Sequence, residues 1–107
     1  MNQSKERRNK LKTYIGFAKK AGKIVYGVDQ IVKIRRRYLI LTDPTLSANS
    51  QKKIAKHASE TGSTILTADD LAELFGENVK AVAVKEEHLA EAIASILKEN
   101  QSISGGV

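Results

Sequence analysis

Lys20, Lys23, Gly27, Asp29, Gln30 and Lys33 fall within fourteen consecutive residues of a 107-residue chain, and their types suit recognition of a polyanion. A glycine directly ahead of a helix leaves backbone N–H groups unsatisfied and pointing outward with the positive end of the helix dipole, which makes an anion site. Having no Cβ, it also lets a nucleic-acid backbone come close. Asp29 and Gln30 follow in the first turn, on the side away from Val28, Ile31 and Val32, and so project where base edges could be read. Lys33 lies one turn beyond Asp29, while Lys20, Lys23 and Arg36 flank the stretch as phosphate contacts. A plainer reading fits the same residues: Gly27 as a turn, Asp29 as an acid favoured by the helix dipole, Asp29 and Lys33 as an ordinary i,i+4 ion pair. Residue types alone leave both open.

Catalytic chemistry finds little to hold. His57 and His88 sit at helical positions among charged neighbours and read as surface residues, since a general base needs a partner and a cleft. Asp43, Thr45 and Ser47 follow a strand, where α/β proteins often place active residues, but a turn with its helix cap accounts for them. The chain has no dinucleotide or P-loop glycine pattern and no His or carboxylate cluster at metal-ligand spacing. Cysteine is absent, which excludes disulfides and thiolate metal sites. A non-enzymatic protein without a cofactor is the expectation.

Charge gives the binding reading its weight. The net charge is +6, but residues 1–37 hold twelve Lys or Arg against two acids, a balance of +10, and the remainder holds six against ten, a balance of −4. A basic first third joined to an acidic remainder suits a protein with one face on a polyanion and the rest in solvent. Many of these cations lie within regular elements beside the first glycine turns, not in a detached tail.

The elements that must position these residues follow from periodicity. Residues 5–20 place Leu11, Tyr14, Ile15 and Ala18 on one helical stripe, which Gly22 ends. Residues 24–26 are a short extended piece, and residues 28–36 a second helix with Val28, Ile31, Val32 and Arg35 aligned, its last turn carrying Arg35, Arg36 and Arg37 at the negative end of the dipole. Residues 38–42, rich in β-formers and free of charge, predict a buried central strand closed by Asp43 and Pro44. Ser47 caps a helix to residue 60 with Ile54, Ala55 and Ala58 inward and Gly62 after its end; residues 63–66 form a strand. Thr67 and Asp70 resemble a capping box opening a short helix through Leu71, Leu74 and Phe75 to Gly76. A third clear strand covers 79–84. The last helix, 87–99, repeats Leu89, Ala92, Ile93, Ile96 and Leu97 on one face, and residues 101–107 read as a frayed, flexible tail.

Strands alternating with such helices predict an α/β protein, a three-layer α/β/α sandwich with a small mixed central sheet. The length allows one domain, residues 1–100, with a core of Ile, Leu, Val and Ala because only five aromatics and no Trp are present. The charged N-terminal segment does not read as a signal peptide, and no apolar run approaches the roughly 20 residues of a membrane span. A soluble, cytoplasmic protein is expected. Strand order is not readable, because residues 24–26 could pair on either edge and in either direction.

The stretch from Lys20 to Lys33, with its Lys-x-Gly-Lys, Gly and Lys spacing, resembles the signature of the kink-turn RNA-binding family that includes large-subunit ribosomal proteins seven-Ae and thirty-e, especially its small bacterial, ribosome-associated members. The likeness extends over residues 8–98, including the strand at 38–42, the Leu-x-x-Leu-Phe-Gly helix ending at Gly76, and the strand Ala81-Val82-Ala83-Val84. The resemblance implies an α/β/α sandwich that binds a sharply bent RNA helix containing tandem sheared G·A pairs. It implies that Gly27 leads the helix start into the widened groove, that Asp29 and Gln30 read guanine edges, and that Lys33 supports them. It also implies that a second loop, here Glu77-Asn78-Val79-Lys80, packs on an extruded nucleotide, with Val79 as its apolar contact and Lys80 beside it. Where the family often has Asn then Glu, this chain has Asp29, which only accepts hydrogen bonds, and Gln30, which also donates.

Structured RNA, most simply ribosomal, is therefore the expected partner, with ribosomal proteins as further partners, no membrane, a monomer by default and a role in translation. The alternative is a protein-interaction module that keeps the sandwich and docks on the ribosome or a translation factor without specific RNA readout.

Overall fold

The strand without charges becomes β2 (Leu39–Thr42), and all four of its residues are buried. In the computed structural model, which describes the backbone of residues 2–69, 71–76 and 78–105 and the side chains of residues 5–98 apart from 70 and 77, β2 is hydrogen-bonded on both sides. The elements run α1 (Asn2–Lys20), β1 (Ile24–Tyr26), α2 (Val28–Ile31), β2, α3 (Ala48–Thr61), β3 (Thr64–Thr67), α4 (Leu71–Phe75), β4 (Ala81–Val84) and α5 (Glu87–Gly105). The sheet order is β1-β4-β2-β3. β4 is antiparallel to both β1 and β2, whereas β2 and β3 are parallel and joined through α3. The fold is an α/β/α sandwich on a mixed sheet, as the alternation of elements predicts.

Side chains alternate across a strand, so β2 and β4 feed two cores at once. Leu39, Leu41, Val82 and Val84 pack with Leu11, Ile15 and Ala18 of α1, with Leu71 and Leu74 of α4, and with Ile93, Ile96 and Leu97 of α5. Ile40, Ala81 and Ala83 point the other way, onto Ile31 of α2 and Ile54 and Ala58 of α3. Burial on both faces explains why these strands read as unbroken apolar runs. The two edges belong to β1 and β3, both short, which limits the open hydrogen-bonding groups they present.

Several boundaries differ from the sequence reading, each for a local reason. α2 ends at Ile31 instead of residue 36: Lys33 N–H bonds the Gln30 carbonyl and Ile34 N–H the Ile31 carbonyl. These three-residue turns tighten the chain so that Ile34 drops onto the second core and Tyr38 can lead into β2. Arg35, Arg36 and Arg37 are exposed and lie beyond the helix, not at its dipole. In α3 the inward stripe is Ile54, His57 and Ala58, so Ala55 is exposed and His57, only 5% exposed, is buried. Charged sequence neighbours misled the surface reading, because adjacent helical residues point about 100° apart. β4 starts at Ala81, two residues later than expected, since Val79 N–H closes a turn on the Gly76 carbonyl. α5 continues past residue 99 to Gly105. Asp70 of the expected capping box, Glu77, and residues 106 and 107 of the expected tail lie outside the described residues.

Ser47 does cap α3, its hydroxyl accepting from Ser50 N–H at 3.2 Å, and Gly62 follows the helix in a left-handed conformation. Ser47→Ala should lower unfolding stability by about 1 kcal/mol. Urea denaturation checks this, and an unchanged midpoint would mean the exposed cap contributes nothing. Among the described residues no helix is long and apolar enough to cross a membrane.

Candidate nucleic-acid interface

The glycine at the head of α2 is held by the sheet. Gly27 N–H donates to the Ala81 carbonyl at 3.0 Å, and its own carbonyl accepts from Ile31 N–H at 3.0 Å. Its backbone sits at φ 86° and ψ 148°, a conformation close to one that is essentially confined to glycine. Ile31 is buried and Val28 half-buried, which turns Asp29 and Gln30 outward, both exposed. A helix of four residues sums few peptide dipoles, so the dipole argument for an anion site loses most of its weight here. What remains is an exposed glycine backbone flanked by polar side chains and cations.

Strand pairing decides what lies beside it. Tyr26 pairs with Val82, and Thr42 with Ala81, so the segments after β1, before β4 and after β2 meet at one end of the sheet. Gly27, Asp29 and Gln30 thereby share that end with Val79 and Lys80. Asp43 N–H bonds the Lys80 carbonyl at 2.9 Å. The Lys80 ammonium donates to Thr45 Oγ1 at 2.8 Å, and the Thr45 hydroxyl in turn donates to Asp43 Oδ2, which also accepts Thr45 N–H at 2.8 Å. Those two Thr45 donors, with the Lys80 charge adding to them, hold the Asp43 carboxyl below its usual range. The turn that looked purely structural therefore tethers a lysine of the candidate site.

The remaining predicted contacts lie elsewhere. Lys23 precedes β1 and its carbonyl accepts from Lys85 N–H at 2.8 Å, at the end where Ile24 and Leu39 both pair with Val84. The strand between Lys23 and Gly27 spans ~13 Å at a rise of about 3.3 Å per residue. Lys20, at the end of α1, and Arg36, whose guanidinium lies 5.8 Å from the Tyr38 ring centre, belong with Lys23 and not with Gly27. Lys33 is exposed in the turn that links the two groups along the chain.

One neighbour of the site escaped sequence reading. Tyr26, 44% exposed, meets Phe75 edge to face at 6.2 Å between ring centres. The Lys19 ammonium lies 5.4 Å from the Phe75 ring centre and donates to the Leu74 carbonyl at 2.6 Å. An exposed aromatic next to Gly27 offers a base-stacking surface. Its signal was present in the alternation of Ile24, Val25 and Tyr26, but its partner on α4 was not. Of the two histidines, His88 is on the surface, and its hydrogen bond to Glu86 at 3.1 Å raises its pKa. Among the described residues no group of three or more His, Asp or Glu side chains could hold a metal ion.

Fold and site together describe a small α/β/α sandwich with polar and basic side chains gathered around a glycine turn at one end of its sheet. No protein-family model matches the chain, and no curated protein matches it. Among solved structures it is similar to one described as the structure of a protein with unknown function from Bacillus halodurans C, with a TM-score of 0.73 and 17% sequence identity over 83% of this chain and 97% of that one. At that identity the likeness establishes the fold alone.

Proposed function

We propose that this chain is a cytoplasmic, ribosome-associated RNA-binding protein that recognises kinked RNA at the Gly27 end of its sheet, and that it works by binding, not by catalysis. The observation that carries the reading is the β1–β4 pairing, which bonds Gly27 to Ala81 and so puts the start of α2, with Asp29 and Gln30, at the same end of the sheet as the Val79–Lys80 segment, about fifty residues away in the chain. These are the two segments that the kink-turn resemblance implies should meet RNA. In this reading Gln30 and Asp29 take base edges, Lys33 and Lys80 take the nearest phosphates, and the part of Val79 left exposed by its packing on the first core meets an extruded nucleotide. Lys20, Lys23 and Arg36 contact the same strand further along, because ~13 Å corresponds to about four phosphates of one strand along a duplex axis.

The test is a titration of a kink-turn RNA at two salt concentrations, with a duplex whose sheared G·A pairs are disrupted as control. The kinked RNA should bind more tightly, and log affinity should fall linearly with log salt, by a slope of about 0.7 to 0.9 for each phosphate contact. Gln30→Ala should lose about 1–3 kcal/mol of discrimination between the two RNAs. Lys33→Ala should weaken both alike and flatten the salt slope by about one contact. Equal loss on both RNAs from Gln30→Ala would remove its role in reading bases. Absence of binding to either RNA would favour a module that docks on a protein.

A further inference from the structure

The opposite end of the sheet carries a groove of about 520 Å³, of which the reading at Gly27 uses only Arg36, on the rim. Its size is that of a small-molecule site. Leu39 and Val84, paired ends of the two central strands, lie at its bottom but are 4% and 1% exposed, and the apolar surface it offers is that of the half-buried Ala90 and Ala94 of α5. Those two alanines are small and one turn apart, so they leave a flat strip that bulkier side chains would fill.

The rim is divided by charge. Arg36, Arg37 and Lys85 stand where the chain enters β2 and leaves β4, three cations gathered by the Leu39–Val84 pairing. A Cβ on Gly62 would lie 3.7 Å from Arg37 Cδ, so the Arg37 stem runs along the entry to β3 and its head stays exposed. Glu87 and Glu91 line the helix side, one turn apart on the stripe that also holds Ala90, Ala94 and Lys98. Such a groove fits a ligand with an anionic group at one end, a planar apolar body, and hydrogen-bond donors facing carboxylates.

We propose that this groove is a second ligand site that takes a guanine nucleotide. The phosphate lies against Arg36, Arg37 and Lys85, where guanidinium groups can grip two oxygens at once. The base lies on the two half-buried alanines, above the buried ends of Leu39 and Val84. Guanine presents N1–H and N2–H side by side, which an ionised glutamate can accept together, whereas uracil offers a single N–H flanked by carbonyls that a carboxylate repels. Lys98 lies seven residues beyond Glu91, about 10 Å along the helix, and can meet a second phosphate. The same chemistry serves a free nucleotide or a guanosine within a single RNA strand.

Calorimetric titration of the intact protein with GMP, UMP, inorganic phosphate and two single-stranded RNA hexamers, one with guanosine and one without, tests this. GMP should bind about ten-fold more tightly than UMP, a difference of about 1.4 kcal/mol. Glu91→Gln should abolish that preference, and Arg37→Ala should weaken both nucleotides; both side chains are exposed, so circular dichroism should show unaltered folding. Gln30→Ala should leave GMP binding unchanged, which separates this site from the one at Gly27 whatever becomes of that reading. If the guanosine hexamer binds with these dependences and GMP does not, the ligand is a nucleotide held in a strand, and the site stands. Equal binding of GMP, UMP and phosphate, or affinities indifferent to Arg37→Ala and Glu91→Gln, would overturn the proposal.

Discussion

Leu41→Ala should lower the free energy of unfolding by about 2–5 kcal/mol. Leu41 is fully buried on β2, where it pairs with Val82 on one side and Leu66 on the other. It belongs to the core shared by α1, α4 and α5. Removing the isobutyl group loses its transfer free energy and leaves a cavity. A strand hydrogen-bonded along both edges and covered by helices on both faces cannot shift to fill that space, so the larger part of the range is expected. For a domain of this size, whose total stability is about 5–15 kcal/mol, that is a substantial fraction. Urea denaturation measures it through the midpoint at constant slope. Phe17→Ala is the contrast, because Phe17 is 54% exposed and should change stability by no more than about 0.5 kcal/mol. A loss below about 1 kcal/mol for Leu41→Ala would mean that β2 is not the closed centre of the sheet.

The second large effect is expected at Gly27, where stability and binding should separate. An alanine at φ 86° and ψ 148° costs about 1–3 kcal/mol of backbone strain. Its Cβ would meet nothing within 4 Å in the protein, so the fold objects only through the backbone. The space it enters is where the proposed RNA backbone approaches. Gly27→Ala should therefore reduce affinity for kinked RNA by about a hundred-fold, or about 2.7 kcal/mol, at temperatures where the variant is still folded. Gly62→Ala supplies the control: Gly62 also has positive φ, 72°, with only ordinary contact around its Cβ, but it follows α3 and belongs to neither group of proposed RNA contacts. It should lose stability and keep its RNA affinity. Equal affinity losses in the two variants would reduce Gly27 to a turn residue.

Local signals carried far along this chain. The stripe of Leu11, Ile15 and Ala18, the chargeless run that became β2 and the Ser47 cap were each legible, because each depends on residues within a turn or two of one another. The candidate site was legible to the same extent: Gly27, Asp29, Gln30 and Lys33 form one short segment whose polar and apolar sides can be read by counting. Reading failed where a tertiary demand outweighed a local pattern. Residues 28–36 carry a fair helical stripe, but the chain must turn after Ile31 to bring Tyr38 to the sheet. His57 sits among lysines in sequence, yet its helical phase points it inward.

By itself the sequence determined the α/β class, the apolar strands that fill the sheet's interior, and the asymmetry of charge along the chain. These are properties of composition and of short-range periodicity. Tertiary structure alone decided that β4 lies between β1 and β2, and nearly everything about the sites follows from that. Hydrogen bonds between strands are non-local, and an apolar strand buried on both faces carries no mark of which neighbour it will take. That one pairing brings Lys80 to Gly27, sends Lys20, Lys23 and Arg36 to the far end, and opens between Arg37 and Glu91 a groove whose residues have no common pattern in the chain.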